Sequence, residues 1–136
     1  MFAGVLLLIV LALVAAYLLD DEPQVAAAVA CTGDPVTPKL PSDFPRVEGM
    51  TYTKSTSAGP SEIADGYYEG DLRGAYEAWR AALGDAGYTI TFDEIEAFDS
   101  EVAYTGGAES RSGIVALRDV CAEGGRISVH ITSRPA

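Results

Sequence analysis

Charged side chains are absent from the first 19 of the 136 residues, and basic side chains are few in the remainder. The whole chain has 9 Lys and Arg against 20 Asp and Glu, which gives a formal net charge of −11. An acidic surface repels nucleic-acid phosphates and anionic lipid headgroups, so no nucleic acid is expected as a partner. Such a charge is expected mainly to keep the folded part solvated.

Histidine and cysteine are equally scarce, with one histidine, His130, and two cysteines, Cys31 and Cys121. A nucleophile–base pair needs a base that titrates near neutral pH, and a structural zinc site needs four closely spaced ligands. The chain also lacks a serine elbow, an HExxH motif, a phosphate loop and a dinucleotide fingerprint. We therefore predict no catalytic, metal or cofactor site and do not expect an enzyme. His130 alternates with apolar residues and is expected on the solvated face of a strand.

The first 19 residues form one apolar run, interrupted only by Tyr17: MFAGVLLLIVLALVAAYLL. As a helix this run would be about 28 Å long, close to the bilayer core of about 30 Å. It is followed directly by Asp20-Asp21-Glu22-Pro23. The pattern predicts a single transmembrane anchor over residues 1–19. Its membrane-facing positions include Leu6, Leu7, Leu8, Ile9, Val10, Leu11, Ala12 and Ala16, of which the two alanines have a spacing that allows close helix packing.

Two alternatives to a retained anchor involve cleavage. A signal peptide would need a basic N-terminal region, which this chain lacks. A lipobox could end at Ala28-Val29-Ala30, with Cys31 as the lipidated residue. Three acidic residues separate the apolar run from that cysteine, so we favour a retained, single-pass anchor in the cell membrane. Translocation of the larger C-terminal part would place the domain on the extracytoplasmic side.

Cys31 and Cys121 are expected to form a disulfide outside the cytoplasm, where thiols are oxidised. Such a bridge would close a loop of some 90 residues and attach the linker to the last strands. The alternative is two unrelated free thiols, which would favour a cytoplasmic domain.

Residues 20–47 are predicted as a linker, because Pro35, Pro38, Pro41 and Pro45 favour extended backbone. Residues 48–136 are predicted as the folded domain. Apolar residues from Leu72 to Ala86 recur at helical spacing, between Asp71 as N-cap and Gly87 as the residue after the helix. The strand patterns on either side predict the order β-β-α-β-β-β-β. The expected fold class is α+β, a two-layer domain with one helix on an antiparallel sheet.

Two groups of side chains are candidates for surface contacts. The acidic residues between Asp93 and Glu101 resemble a solvated strand edge more than a calcium loop, because the alternating ligands and central glycine of an EF-hand are missing. Tyr52, Tyr67 and Tyr68 are candidates for an exposed contact surface, since adjacent strand residues cannot both face inward.

The segments LPSDFPRVEGMTYTKS and DLRGAYEAWRAALGDAGYTI support a resemblance. They resemble small secreted or membrane-anchored α+β domains of high-GC Gram-positive bacteria, the actinobacteria. Those domains have a Phe-Pro entry, a strand pair, a helix ending in an Ala-Gly-Tyr motif and a C-terminal meander. The similarity covers about the last two thirds of the chain. It implies fold and location rather than activity, because the motifs are structural and such proteins are largely uncharacterised.

Two functions are compatible with these patterns. The first is a non-enzymatic accessory subunit, held in the bilayer and docked on a larger membrane protein complex through its helix and outer domain. The alternative is a non-catalytic envelope module that binds a small ligand or a cation, in a chain that could also be secreted or lipid-anchored.

Overall fold

The computed structural model describes residues 27–136, which form six strands and one helix. The strands are β1 (Met50–Ala58), β2 (Ser61–Glu69), β3 (Tyr88–Ile95), β4 (Asp99–Gly106), β5 (Arg111–Arg118) and β6 (Arg126–Pro135), and the helix is α1 (Leu72–Asp85). The predicted α+β class and the order of the elements are confirmed. The predicted anchor over residues 1–19 lies outside the described residues. Within residues 27–136, no helix is both long and apolar enough to span a membrane.

All six strands belong to one antiparallel sheet with the order β1-β2-β6-β5-β4-β3. The β1–β2 hairpin lies at one side, and α1 carries the chain to the opposite edge at β3. The chain then returns as a meander, and β6 pairs with β2 between the two halves. The first and last strands of the domain are therefore close to each other, and the sheet depends on pairing between residues far apart in sequence.

Helix α1 begins where the sequence predicts. The Asp71 carboxylate accepts a hydrogen bond from the Gly74 amide at 2.7 Å, which satisfies one of the free amides of the first turn. Gly87 follows the helix with φ of +89°, a left-handed conformation that glycine adopts without strain. The buried side of the helix carries Leu72, Ala75, Trp79 and Leu83.

The core lies between α1 and one face of the sheet, and its strand residues alternate as a half-buried sheet requires. The indole of Trp79 is fully buried, and its Nε1 has no hydrogen-bond partner among the described residues. The ring is therefore held by packing, and burial of a side chain of this kind contributes roughly 1.5–3 kcal/mol. Other fully buried members are Leu83, Val102, Val115, Leu117 and Ile131.

The proline-rich segment before β1 packs along the domain. Phe44 is buried at the centre of an aromatic cluster, with ring centroids 5.9 Å from Trp79, 5.9 Å from Tyr88 and 5.6 Å from Tyr104. The Val36 amide also donates to the Tyr52 carbonyl at 2.9 Å, next to the edge strand β1. Residues that the sequence assigns to a linker thus contribute to the core, because the prolines extend the backbone without removing its apolar side chains from the domain.

Candidate interaction surface

No helix or strand of residues 27–136 packs on the sheet face opposite α1, and we call it the open face. At the end where the chain enters, the Arg126 side chain on this face donates to the Cys31 carbonyl at 2.9 Å. Strand register places six side chains in a row across it: Phe92, Ala103, Ile114, Thr132, Ile63 and Thr56. Phe92 is 50% exposed and Ile114 is 39% exposed. The row therefore presents apolar surface to solvent from one edge strand to the middle of the sheet.

A charged row runs beside the apolar row, displaced from it by two residues along each strand. It consists of Glu94, Glu101, Ala116, His130, Asp65 and Lys54. The small Ala116 leaves a hollow of about 390 Å³ in the middle, lined also by Asp65, Arg118, Ser128 and His130. The carboxylates of Glu94 and Glu101 lie toward the β3 edge. The open face thus combines an apolar stripe with a polar border, as protein-binding surfaces do.

His130 and Asp65 form a pair in the charged row, with Nδ1 of the imidazole 2.5 Å from Oδ1 of the carboxylate. Strand pairing brings them together, because Asp65 on β2 is the register partner of His130 on β6. This contact fixes the imidazole and directs its Nε2 away from Asp65. A base oriented by a carboxylate also needs a nucleophile within hydrogen-bond reach. Among the described residues, His130 has no hydrogen bond to a hydroxyl or thiol group.

The three tyrosines predicted as a contact surface do not lie together. Tyr67 is on the open face, where the Arg126 guanidinium lies 4.1 Å from its ring centroid. Tyr68 and Tyr52 face the other side of the sheet and pack against the core. The adjacent pair Tyr67 and Tyr68 therefore points to opposite faces, as strand geometry requires, and only Tyr67 belongs to the open face.

Tyr52 borders a second hollow, of about 530 Å³, between β1 and the proline-rich segment. Its walls are mostly apolar and include Leu40, Phe44, Val47 and Met50, with Arg46 also in the lining. Burial raises the pKa of the Tyr52 phenol, and the nearby Tyr104 adds to this shift. The phenol therefore stays protonated at physiological pH and can donate a hydrogen bond to a bound group.

The acidic residues around 93–101 are divided between different environments. The Asp93 carboxylate accepts a hydrogen bond from the Tyr76 hydroxyl at 2.6 Å and lies 2.6 Å from Nε of Arg80. Glu94 and Glu101 face outward from the open face. Within residues 27–136 there is no group of three or more His, Cys, Asp or Glu side chains placed to hold a metal ion.

The disulfide lies at the end of the domain where the chain enters from residue 27. Cys31 and Cys121 are bridged, as the sequence predicts, with their Cα atoms 5.4 Å apart. The Val29 amide donates to the Val120 carbonyl at 2.8 Å, and the Ala122 amide donates to the Val29 carbonyl at 2.7 Å. This entering segment is therefore attached to the loop between β5 and β6 by backbone and covalent bonds.

An exposed aromatic ring that sequence analysis did not single out lies at the same end. Phe98, in the turn between β3 and β4, is 71% exposed. Together with Ala27, Val29 and Val120 it lines a hollow of about 280 Å³, and we call these four residues the entry patch. Phe98 is visible in the sequence as an aromatic residue, but the acidic residues around it suggest only a solvated turn.

Comparisons with protein-family models, with curated proteins and with solved structures give no match for this chain.

Proposed function

We propose that this protein is a non-catalytic interaction subunit, held at the membrane by a helix over residues 1–19 and docked on a larger membrane protein complex through the open face. The observation that carries the proposal is the apolar row with Phe92 and Ile114 exposed on an uncovered sheet. Contiguous apolar surface of this kind is costly to leave in water and marks interaction sites.

The chemistry of the open face defines the partner. The apolar row suits aliphatic or aromatic side chains, and Glu94 and Glu101 beside it suit basic ones. The net negative charge of the chain favours the same choice, because a basic partner would be attracted and an acidic one repelled. The partner is therefore an extracytoplasmic protein surface with an apolar centre and a basic rim.

The position of the open face supports a partner in the same membrane. Arg118 borders both the hollow on the open face and the entry patch, so the docking surface extends to the end where the chain enters the domain. An anchor at that end would confine the domain near the bilayer and raise the effective concentration of a neighbouring membrane protein. The Cys31–Cys121 bridge favours an oxidising, extracytoplasmic location. It also uses the sulfur that a lipid on Cys31 would require.

A matched pair of substitutions tests the proposal. Ile114→Glu places a charge in the apolar row. Val36→Glu places the same charge on an aliphatic residue away from the open face. The two native side chains are equally exposed, at 39% for Ile114 and 40% for Val36. After gentle detergent extraction from native membranes, the wild type and Val36→Glu should migrate with a larger assembly, and Ile114→Glu should migrate alone. A wild type that is monomeric in several detergents, or an Ile114→Glu variant that keeps the assembly, would contradict the proposal.

The second candidate is a binding module for a small ligand, favoured by the hollow beside Tyr52. Its apolar walls, the protonated phenol and Arg46 suit an amphipathic molecule with an apolar body and an acidic group. Mass spectrometry of lipids and metabolites extracted with the purified protein checks this candidate. Enrichment of one such molecule with the wild type and its loss with Tyr52→Phe would favour it, whereas equal recovery from both proteins would argue against it.

A further inference from the structure

Phe98 lies on a turn whose backbone is fixed by hydrogen bonds. The Phe98 carbonyl accepts from the Asp119 amide at 2.8 Å, and across the turn the Glu96 amide donates to the Asp99 carbonyl at 2.8 Å. The turn is therefore attached both to itself and to the residue after β5. The Phe98 side chain, which is 71% exposed on this fixed turn, therefore lies on the surface and is not packed in the core.

The hollow beside Phe98 is lined by apolar side chains that include the start of the described chain, and by the charged Asp99 and Arg118. Val29 is 44% exposed and lines the same hollow as Phe98, Ala27 and Val120. Val29 is fixed by its two hydrogen bonds to the loop after β5, and Cys31 by the disulfide. The entry patch is thus a rigid apolar end of the domain, formed partly by the segment that connects to residues 1–26.

The length of the connecting chain limits how far this end can lie from the anchor. From Leu19, the last residue of the apolar run, to Val29 the backbone spans at most about 36 Å when fully extended. Any less extended path brings the entry patch closer to the bilayer. The opposite end of the domain, beyond the β1–β2 turn at Gly59, is farther along the strands from this attachment. A membrane anchor ending at Leu19 would therefore keep the entry patch within about 36 Å of the bilayer.

We infer that the entry patch contacts the bilayer interface, with the Phe98 ring among the lipid headgroups and Val29 beside it; this inference rests on the proposed anchor. Phenylalanine is among the apolar side chains that insert at the boundary between lipid headgroups and acyl chains. Glu96 and Asp99 flank Phe98 in sequence, and the Asp119 amide donates to the Phe98 carbonyl. These three carboxylates outnumber the one cation of the same hollow, Arg118, so the lipids contacted are zwitterionic ones rather than anionic ones. Contact at this end would leave the open face available for a protein partner.

Tryptophan fluorescence in liposomes tests the inference on the full chain. Phe98→Trp reports on the entry patch and Phe92→Trp on the open face, and both replace an exposed phenylalanine. The native Trp79 is fully buried and supplies a constant background measured with the parent protein. The probe is phosphatidylcholine brominated near the headgroup end of its acyl chains. The expected result is quenching and a blue shift for Phe98→Trp, with neither for Phe92→Trp.

A change of lipid charge provides an independent test of the inference. At a constant fraction of brominated phosphatidylcholine, replacement of the unbrominated phosphatidylcholine by phosphatidylglycerol at low salt should reduce the quenching of Phe98→Trp. At about 1 M salt, where the Debye length is about 3 Å, the quenching should return. A quenching that is insensitive to anionic lipid and salt would overturn the choice of zwitterionic lipid as the contact.

Flotation with the liposomes and resistance to alkaline extraction separate the inference from the proposed function. A protein that floats but shows no quenching at position 98 retains its anchor and overturns the inference alone. A protein that does not float overturns both. Quenching at positions 92 and 98 alike would mean that the open face lies on the lipid, which contradicts the entry patch as the contact. A blue shift at position 98 seen only in native membranes would assign the patch to a protein partner instead.

Discussion

At the scale of single residues, two glycines differ in what a side chain would meet. At Gly113 in β5, an added Cβ would lie 1.8 Å from the Thr132 carbonyl oxygen and 2.6 Å from the Tyr104 hydroxyl. That hydroxyl donates to the same carbonyl at 2.8 Å, so the missing side chain leaves room for the Tyr104 ring to cross β5. At Gly84, near the end of α1, an added Cβ would meet nothing within 4 Å.

We therefore expect opposite effects from the same substitution at these positions. Gly113→Ala should lower the free energy of unfolding by about 1–3 kcal/mol or more, because the backbone and Tyr104 must move. Gly84→Ala should raise it by about 0.5–1 kcal/mol, because alanine loses less backbone entropy in a helix. Urea denaturation of both variants checks the pair. Equal effects of the same sign would contradict the predicted approach of Tyr104 to β5.

Asp43 carries a pH-dependent contribution to stability. Its carboxylate accepts from the Ala108 amide at 2.7 Å and from the Tyr88 hydroxyl at 2.9 Å, and these bonds hold the pKa of Asp43 below its ordinary value of 3.8. A carboxyl group whose pKa is lower in the folded state stabilises that state above its unfolded pKa. The contribution is lost as the pH falls through the lower, folded pKa.

Asp43→Asn should therefore destabilise the protein at pH 7 and have progressively less effect below about pH 4. Urea denaturation of the wild type and the variant over this range measures the difference. Asp34→Asn, at an exposed residue of the same segment, is the control and should show little effect. A difference between Asp43→Asn and the wild type that stays constant down to pH 2 would refute the assigned role.

At this scale, the sequence does not predict contacts that depend on the pairing of segments far apart in the chain. His130 was correctly expected on the outward side of β6, because its neighbours Val129 and Ile131 are apolar. Its contact with Asp65 depends on which strand lies beside β6, and the local pattern carries no information about that. Phe44 is a similar case: four nearby prolines indicate an extended segment but not that its aromatic ring enters the core.

At the scale of elements, local sequence patterns predict which segments form helix or strand, but not the order of the strands in the sheet. The helical spacing from Leu72 to Ala86 predicted α1 close to its observed bounds, and the strand patterns predicted the order of the elements. Succession by short turns also predicted antiparallel pairing. The pairing of β6 with β2 spans the helix and three strands, and only the packing of the whole sheet selects it. The open face, which follows from this order, could not be placed beforehand.

The disulfide is the main constraint between the entering segment and the sheet. Cys31 and Cys121 are separated by 90 residues, and a crosslink over a loop of that length stabilises the folded state by about 4–5 kcal/mol when unfolded-chain entropy alone is counted. The substitutions Cys31→Ser and Cys121→Ser together should lower the free energy of unfolding by up to that amount. Urea denaturation of the double variant measures it.

A reductant provides the control for this prediction. The wild type in dithiothreitol should approach the stability of the double variant, and the double variant should not respond to the reductant. A double variant as stable as the oxidised wild type would contradict the role of the bridge. Cleavage by protease near Val29 should also increase when the bridge is removed, because hydrogen bonds at Val29 and Cys31 then attach this segment without a covalent bond.

At the scale of the whole molecule, the domain has two faces and one distinct end. One face of the sheet is buried by α1 and the proline-rich segment, and the open face carries the exposed apolar row. The entry patch lies where the chain enters, next to the disulfide. This arrangement would allow one end to lie on the bilayer while the open face binds a neighbouring protein.

The open face is the proposed docking surface for a protein in the same membrane. Site-specific photocrosslinking in native membranes tests this directly, with a photoreactive amino acid at Ile114 and, as a matched control, at Val36. Docking through the open face predicts a discrete, higher-mass adduct from position 114 that is absent from position 36. No adduct from position 114, or equal adducts from both positions, would contradict it.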